Sequence, residues 1–114
     1  MDPIWLDRDR VDQEVPAVDY QDLRHNQTFG LDYYSGKPFT GYCRERYPNG
    51  TLASVVQLVR GLNAGVTVAW HPNGQIASYG ELQDGVRHGL LIEWNEEGAK
   101  VYEKQYHDGR LLRS

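Results

Sequence analysis

The sequence predicts an all-β protein: an antiparallel meander of stacked β-hairpins repeating every 24 residues, preceded by a non-repeating N-terminal cap. Three observations predict it. Gly50, Gly74 and Gly98 are spaced by 24, as are Gly41, Gly65 and Gly89, and Gly61, Gly85 and Gly109. Nine of the twelve glycines thus fall into three columns, and a fixed period of this size marks stacked supersecondary units. Turn signals recur inside that period, and apolar residues alternate with a period of two between them.

The repeat domain spans 31–112. Its full units are 41–64, 65–88 and 89–112, and a half-unit, LDYYSGKPFTG (31–41), precedes them with one extra residue between Gly36 and Gly41. Each unit holds two runs. The first ends at PNG, PNG or NEEG, and the second at RG, DG or DG. Asn-Gly and Asp-Gly tolerate the positive φ of tight hairpin turns, and a preceding proline stops a central strand. In the first run, Val66, Val68 and Trp70, and Leu90, Ile92 and Trp94, form one apolar face. In the second run, Leu58, Leu82 and Tyr106 share a column. The columns 54/78/102 (Ser, Ser, Tyr) and 57/81/105 (Gln, Glu, Gln) mark a wetter face. About seven strands are expected, with stability collective, because a lone hairpin is marginal in water.

Two departures stand out. NEEG in place of PNG predicts a looser third turn, and Lys100 with Lys104 predicts a last hairpin exposed where its neighbours are buried, as in a capping repeat. In the first unit Tyr42, Arg44 and Arg46 interrupt the apolar line.

Residues 1–30 carry seven acids and three arginines, whereas 31–114 carry nine of each sign, so the whole net charge of −4 sits on the N-terminal segment. No segment has the basic surplus of a general nucleic-acid binder. No apolar run approaches the roughly 18 residues of a membrane helix. The start, MDPIWLDRDR, lacks the apolar core of a signal peptide, and the single Cys43 has no disulfide partner, so a cytoplasmic location is expected.

The stretches YPNGTLAS, HPNGQIAS and DGVRHG resemble the MORN-repeat variant family, whose bacterial members include YwqK-like antitoxin or immunity proteins, and the resemblance covers 31–112. GKPFTG is similar to the motif that opens the repeats of that family. The resemblance implies a meander of hairpins and a non-enzymatic binding role, in which an immunity protein neutralises a toxin by occluding its functional surface. It also implies an alternative, a structural scaffold or membrane-peripheral adaptor.

The residues themselves offer little chemistry. There is no GxSxG, HExxH or phosphate-binding glycine loop. His25, His71, His88 and His107 lack local ligand spacing, so neither a metal site nor a cofactor is expected. His71 shares its column with Tyr47 and Asn95. An acid–base role for it would need Glu93, Glu96 or Glu97 beside it, and a solvated turn edge is the plainer reading.

Membrane association would need a basic surface, and Arg44, Arg46 and Arg60 make only a small patch. The N-terminal segment has two compatible readings. It caps the first sheet edge, with Asp19 or Asp22 near Arg44 or Arg46. Alternatively it is an acidic arm whose Asp7, Asp9, Asp12 and Glu14 engage a basic partner such as a toxin domain. Arg44 and Arg46, which break the repeat, and several aromatic residues add candidate partner contacts. Tyr79 is expected to be exposed because its column also holds Val55 and Glu103. Of the adjacent Tyr33 and Tyr34, one must face outward in a strand.

Overall fold

The computed structural model describes residues 1–112. A short 3-10 turn, Pro3–Leu6, leads into helix α1 (Arg8–Glu14). Strand β1 (Val18–Asp19), β2 (Arg24–Asn26), β3 (Leu31–Tyr34) and β4 (Lys37–Pro38) follow. Then come the six long strands β5 (Gly41–Arg46), β6 (Leu52–Val59), β7 (Leu62–Trp70), β8 (Ile76–Gln83), β9 (Val86–Trp94) and β10 (Lys100–His107), and the short β11 (Arg110–Leu111). Strands β5 to β11 form a continuous antiparallel meander, which is the expected all-β hairpin architecture.

The half-unit departs from expectation. β3 and β4 do not begin the large sheet; they pair with β2 in a separate three-stranded sheet. The edge of β5 is occupied instead by β1, running parallel, with Val18 opposite Cys43 and Asp19 opposite Arg44. The extra residue before Gly41 breaks the 24-residue register, and Phe39 packs under Gly41. The half-unit is stitched to the first repeat from the side: Gly61 N–H donates to the Phe39 carbonyl and Asp32 N–H to the Gly61 carbonyl, both at 2.8 Å. The 30/31 division falls inside the β2–β3 hairpin, so the head and the half-unit share one small sheet.

The second strand of each unit is not a simple period-two strand. Its fully buried residues in β6 are Leu52, Val55 and Leu58, three apart. The extra residue at Ala53, a β-bulge that β5 does not match, puts Leu52 and Val55 on one face. Leu58 lies on the opposite face with Ser54 and Val56, and at Gln57 the unmatched residues belong to β7. Strand β8 repeats both shifts, at Ala77 and Glu81. The column 57/81 is therefore part of the backbone framework as well as a polar position. Gln57 Oε1 accepts from Val66 N–H at 3.1 Å, and Glu81 Oε1 accepts from Leu90 N–H at 2.8 Å. These side chains fill the space above Gly65 and Gly89. A Cβ there would meet Gln57 Oε1 at 2.0 Å or Glu81 Oε1 at 2.4 Å.

The third turn is not looser. Asn95 N–H donates to the Ala99 carbonyl and Gly98 N–H to the Asn95 carbonyl, the same pair of bonds that closes the turns at Tyr47 and His71. Asn95 Oδ1 accepts from Glu97 and Ala99 N–H, which replaces the turn bonds of Asn49 and Asn73. A side-chain amide moved within the turn still satisfies the backbone.

The core lies between one face of the large sheet and the N-terminal segment. Trp5 and Val11 pack on Leu52, Val55, Val68, Trp70, Ile76 and Tyr79. Each large side chain buried there contributes roughly 1.5–3 kcal/mol. Trp70 Nε1–H donates to the Trp5 carbonyl at 3.1 Å, which ties the head to the centre of the sheet.

Candidate partner-binding surface

Most of the acidic head is folded into the molecule. Asp2 and Asp7 accept backbone N–H groups at the starts of the 3-10 turn and of α1, from Ile4 at 3.0 Å and Arg10 at 3.1 Å. Glu14 pairs with Arg10 at 2.6 Å one helical turn away. Asp12 takes both Arg46 Nη atoms at 2.9 Å, and Asp19 takes Arg44 Nε at 2.8 Å. Arg46 bonded to Asp12 holds that carboxyl below the usual aspartate range. The charges that interrupt the apolar line are thus matched by the head that covers them. Asp9 remains outward, with a side chain 87% exposed.

Tyr79 is a correction. It is 3% exposed and belongs to the core, with its hydroxyl donating to Glu81 Oε2 at 2.6 Å. Its column reads as variable because Glu103 occupies the uncapped third unit, whereas Val55 and Tyr79 lie under the head. Burial and Glu81 together push its phenol well up. Of the adjacent tyrosines, Tyr34 is the exposed one, lying 5.6 Å from the Phe39 ring, and Tyr33 is half-buried.

His71 serves the fold. Its Nε2–H donates to the Trp94 carbonyl at 2.9 Å, just as Tyr47 Oη donates to the Trp70 carbonyl at 2.5 Å one repeat earlier. Among the described residues it makes no ion pair with Glu93, Glu96 or Glu97. Cys43 is buried, and that burial raises its thiol to about 11, which leaves it protonated at neutral pH.

Two concave surfaces each bring two candidate residues together. One is lined by Asp19, Tyr20, Gln21, Arg44, Glu45 and Arg46, with the Asp19–Arg44 ion pair in its wall. The other is a groove of about 660 Å³ between the head and the turns of the second and third units. Leu6, Asp7, Arg8 and Asp9 form one wall; Asn73, Gly74, Gln75, Ile76, Trp94 and Gly98 form the other. Arg8 Nη2 would lie 3.3 Å from a Cβ at Gly74, so the glycine lets the guanidinium pack on the turn. Arg8 Nη1 is buried without a protein acceptor. Sequence reasoning found Asp7 and Asp9 through their charge. It did not find Arg8, Gln75 or Trp94, because only the docking of the head on later repeats makes them neighbours.

One further cluster forms where β9, β10 and the turn after β10 meet: His88, His107 and Asp108. Among the described residues no helix is long and apolar enough to cross a membrane. No protein-family model, no curated protein and no solved structure matches this chain.

Proposed function

We propose that this chain is a non-catalytic protein-binding module of the immunity or antitoxin kind, which occludes a functional surface of a basic partner. The observation that carries this reading is the groove between head and repeats. Its rim holds the outward carboxylate of Asp9, and its walls include the exposed Leu6 and the half-buried Trp94. An apolar anchor with a charged rim is the arrangement that concentrates binding energy in protein interfaces. Asp9 would steer a cationic segment, and Trp94 would take an apolar side chain. The cap and the arm are then one structure: Asp12 and Asp19 hold the head on the sheet, and Asp9 meets the partner.

Affinity capture with the intact protein, together with co-expression of the product of the adjacent gene, tests the reading. The expected result is a basic protein held at low salt, released as ionic strength rises, and weakened by Asp9→Asn or Trp94→Ala. Capture that is indifferent to both substitutions, with no toxin-like neighbour, would overturn it. Co-sedimentation with anionic vesicles separates this reading from the membrane-peripheral adaptor, which alone predicts binding to lipid.

A further inference from the structure

We propose that His88, His107 and Asp108 form a site for a borderline divalent cation, zinc or a chemically similar ion such as cobalt or nickel. The two imidazoles come from β9 and from the end of β10, and their ring centres lie 4.8 Å apart. Asp108 sits in the following turn and reaches both rings. Its Oδ2 is 3.3 Å from His107 Nε2 and its Oδ1 is 3.7 Å from His88 Nδ1. All three ligand atoms lie within 4.8 Å of one another. A tetrahedral zinc with bonds of about 2.0–2.1 Å needs donors about 3.3 Å apart. Small side-chain rotations of exposed residues bring this set to that spacing. Two imidazoles and one carboxylate suit ions of intermediate softness, with the remaining position left to water.

The backbone prepares the arrangement. Asp108 has φ of 49°, the left-handed value shared by Arg60 and Asp84 in the equivalent turns, and this directs its side chain toward the strand ends. Turn closure does not require a histidine at 88. In the first unit Thr40 Oγ1 accepts the equivalent N–H, from Arg60, at 2.8 Å, whereas His88 Nδ1 accepts from Asp108 N–H at only 3.4 Å. The long bond leaves that nitrogen weakly engaged. The other two histidines are occupied: His71 by the Trp94 carbonyl and His25 by Asp32 at 2.8 Å. The equivalent positions one repeat earlier are Ala64, Gln83 and Asp84, which offer one carboxylate and no imidazole. The site is thus confined to the junction of the second and third units.

That position suggests a purpose. The head does not cover the last hairpin, whose Val101, Lys100 and Lys104 are exposed. An ion held jointly by β9 and the end of β10 ties this strand to the sheet, and an ion that binds only the folded hairpin stabilises it by mass action.

Titration of the intact protein with zinc chloride, followed by imidazole NMR, tests the site, and cobalt absorption reports its geometry. The expected result is saturable binding of one ion, with the His88 and His107 resonances shifting together and slower amide exchange in β10. His107→Ala and His107→Gln, at a side chain 63% exposed, should each weaken binding at least about tenfold. Asp108→Asn keeps a residue that tolerates the turn and removes only the charge, and should weaken it several-fold. Unchanged affinity in both His107 variants, shifts at His25 or His71 instead, or no saturable binding by millimolar zinc would each overturn the proposal.

Discussion

The second and third units share a repeat and a turn geometry, yet they live in different environments. In β8, Ile76 and Tyr79 are buried beneath the head; in β10 the same columns hold Lys100 and Glu103, which pair with each other in solvent at 2.5 Å. Opposite Glu81 the next strand, β9, carries unmatched residues, and the Glu81 side chain accepts from Leu90 N–H there. On its β9 side β10 pairs as β8 does on its β7 side, with a single shift, at Val101 in β10 and Ala77 in β8. The repeat therefore sets the backbone, while neighbours on either side decide which positions become core. The third unit is charged where its predecessors are apolar, with a polar tyrosine pair, Tyr102 and Tyr106, whose hydroxyls meet at 2.7 Å.

The sharpest way to test this contrast is to empty equivalent aromatic positions. Trp70→Ala should destabilise the protein by about 3–5 kcal/mol, because the side chain is fully buried and also bonds the head. Trp94→Ala, at a half-buried position, should remove about 1–2 kcal/mol by area. Equilibrium denaturation compares the two; equal losses would mean that the head does not discriminate between units.

Glycines test the bulge. Gly65→Ala should lose about 2–3 kcal/mol, since φ is 90° and Gln57 occupies the space, whereas Gly50→Ala, at the same φ with nothing nearby, should lose about 1 kcal/mol. Gln57→Ala should itself lose about 1 kcal/mol and narrow the gap when combined with Gly65→Ala. Thermal denaturation of the four variants reads this directly.

Tyr47→Phe removes the bond to the Trp70 carbonyl and should lose about 1 kcal/mol. The smallest effect belongs to the head's ion pair. Asp12→Ala should lose about 0.5–1 kcal/mol, a figure limited by partial exposure. The folded pKa of Asp12 is lowered by Arg46. Its contribution is therefore complete above the unfolded pKa of about 3.9 and disappears as pH falls through the folded value. Denaturation at pH 7 and again near pH 2 should show the gap between wild type and Asp12→Ala close. A gap that persists in acid would assign the loss to packing.

Much of the repeat was legible because its signals are local. Positive-φ glycines and Asn-Gly turns depend on neighbours in sequence, and the exposed Lys100 and Lys104 declare themselves by charge. Tyr79 was misread because its column was judged by Glu103, which lies in the unit the head does not cover, whereas Val55 and Tyr79 are buried beneath the head. The third turn was misread because Asn95 takes over capping from a different position. The groove at Asp9 and Trp94, and the cluster at His88, His107 and Asp108, were invisible because their members are far apart in the chain and meet only by docking or strand pairing.

By itself, then, the sequence determined the hairpins, their 24-residue period and the exposure of the last hairpin, since turn conformation, alternation and charge are written within a few residues. Only the tertiary structure decided three further things: that the acidic head is a lid over the tryptophan line, that the half-unit leaves the main sheet, and which polar side chains become neighbours. Each depends on which surfaces bury one another, and that free energy is a property of long-range packing that no single stretch of chain contains.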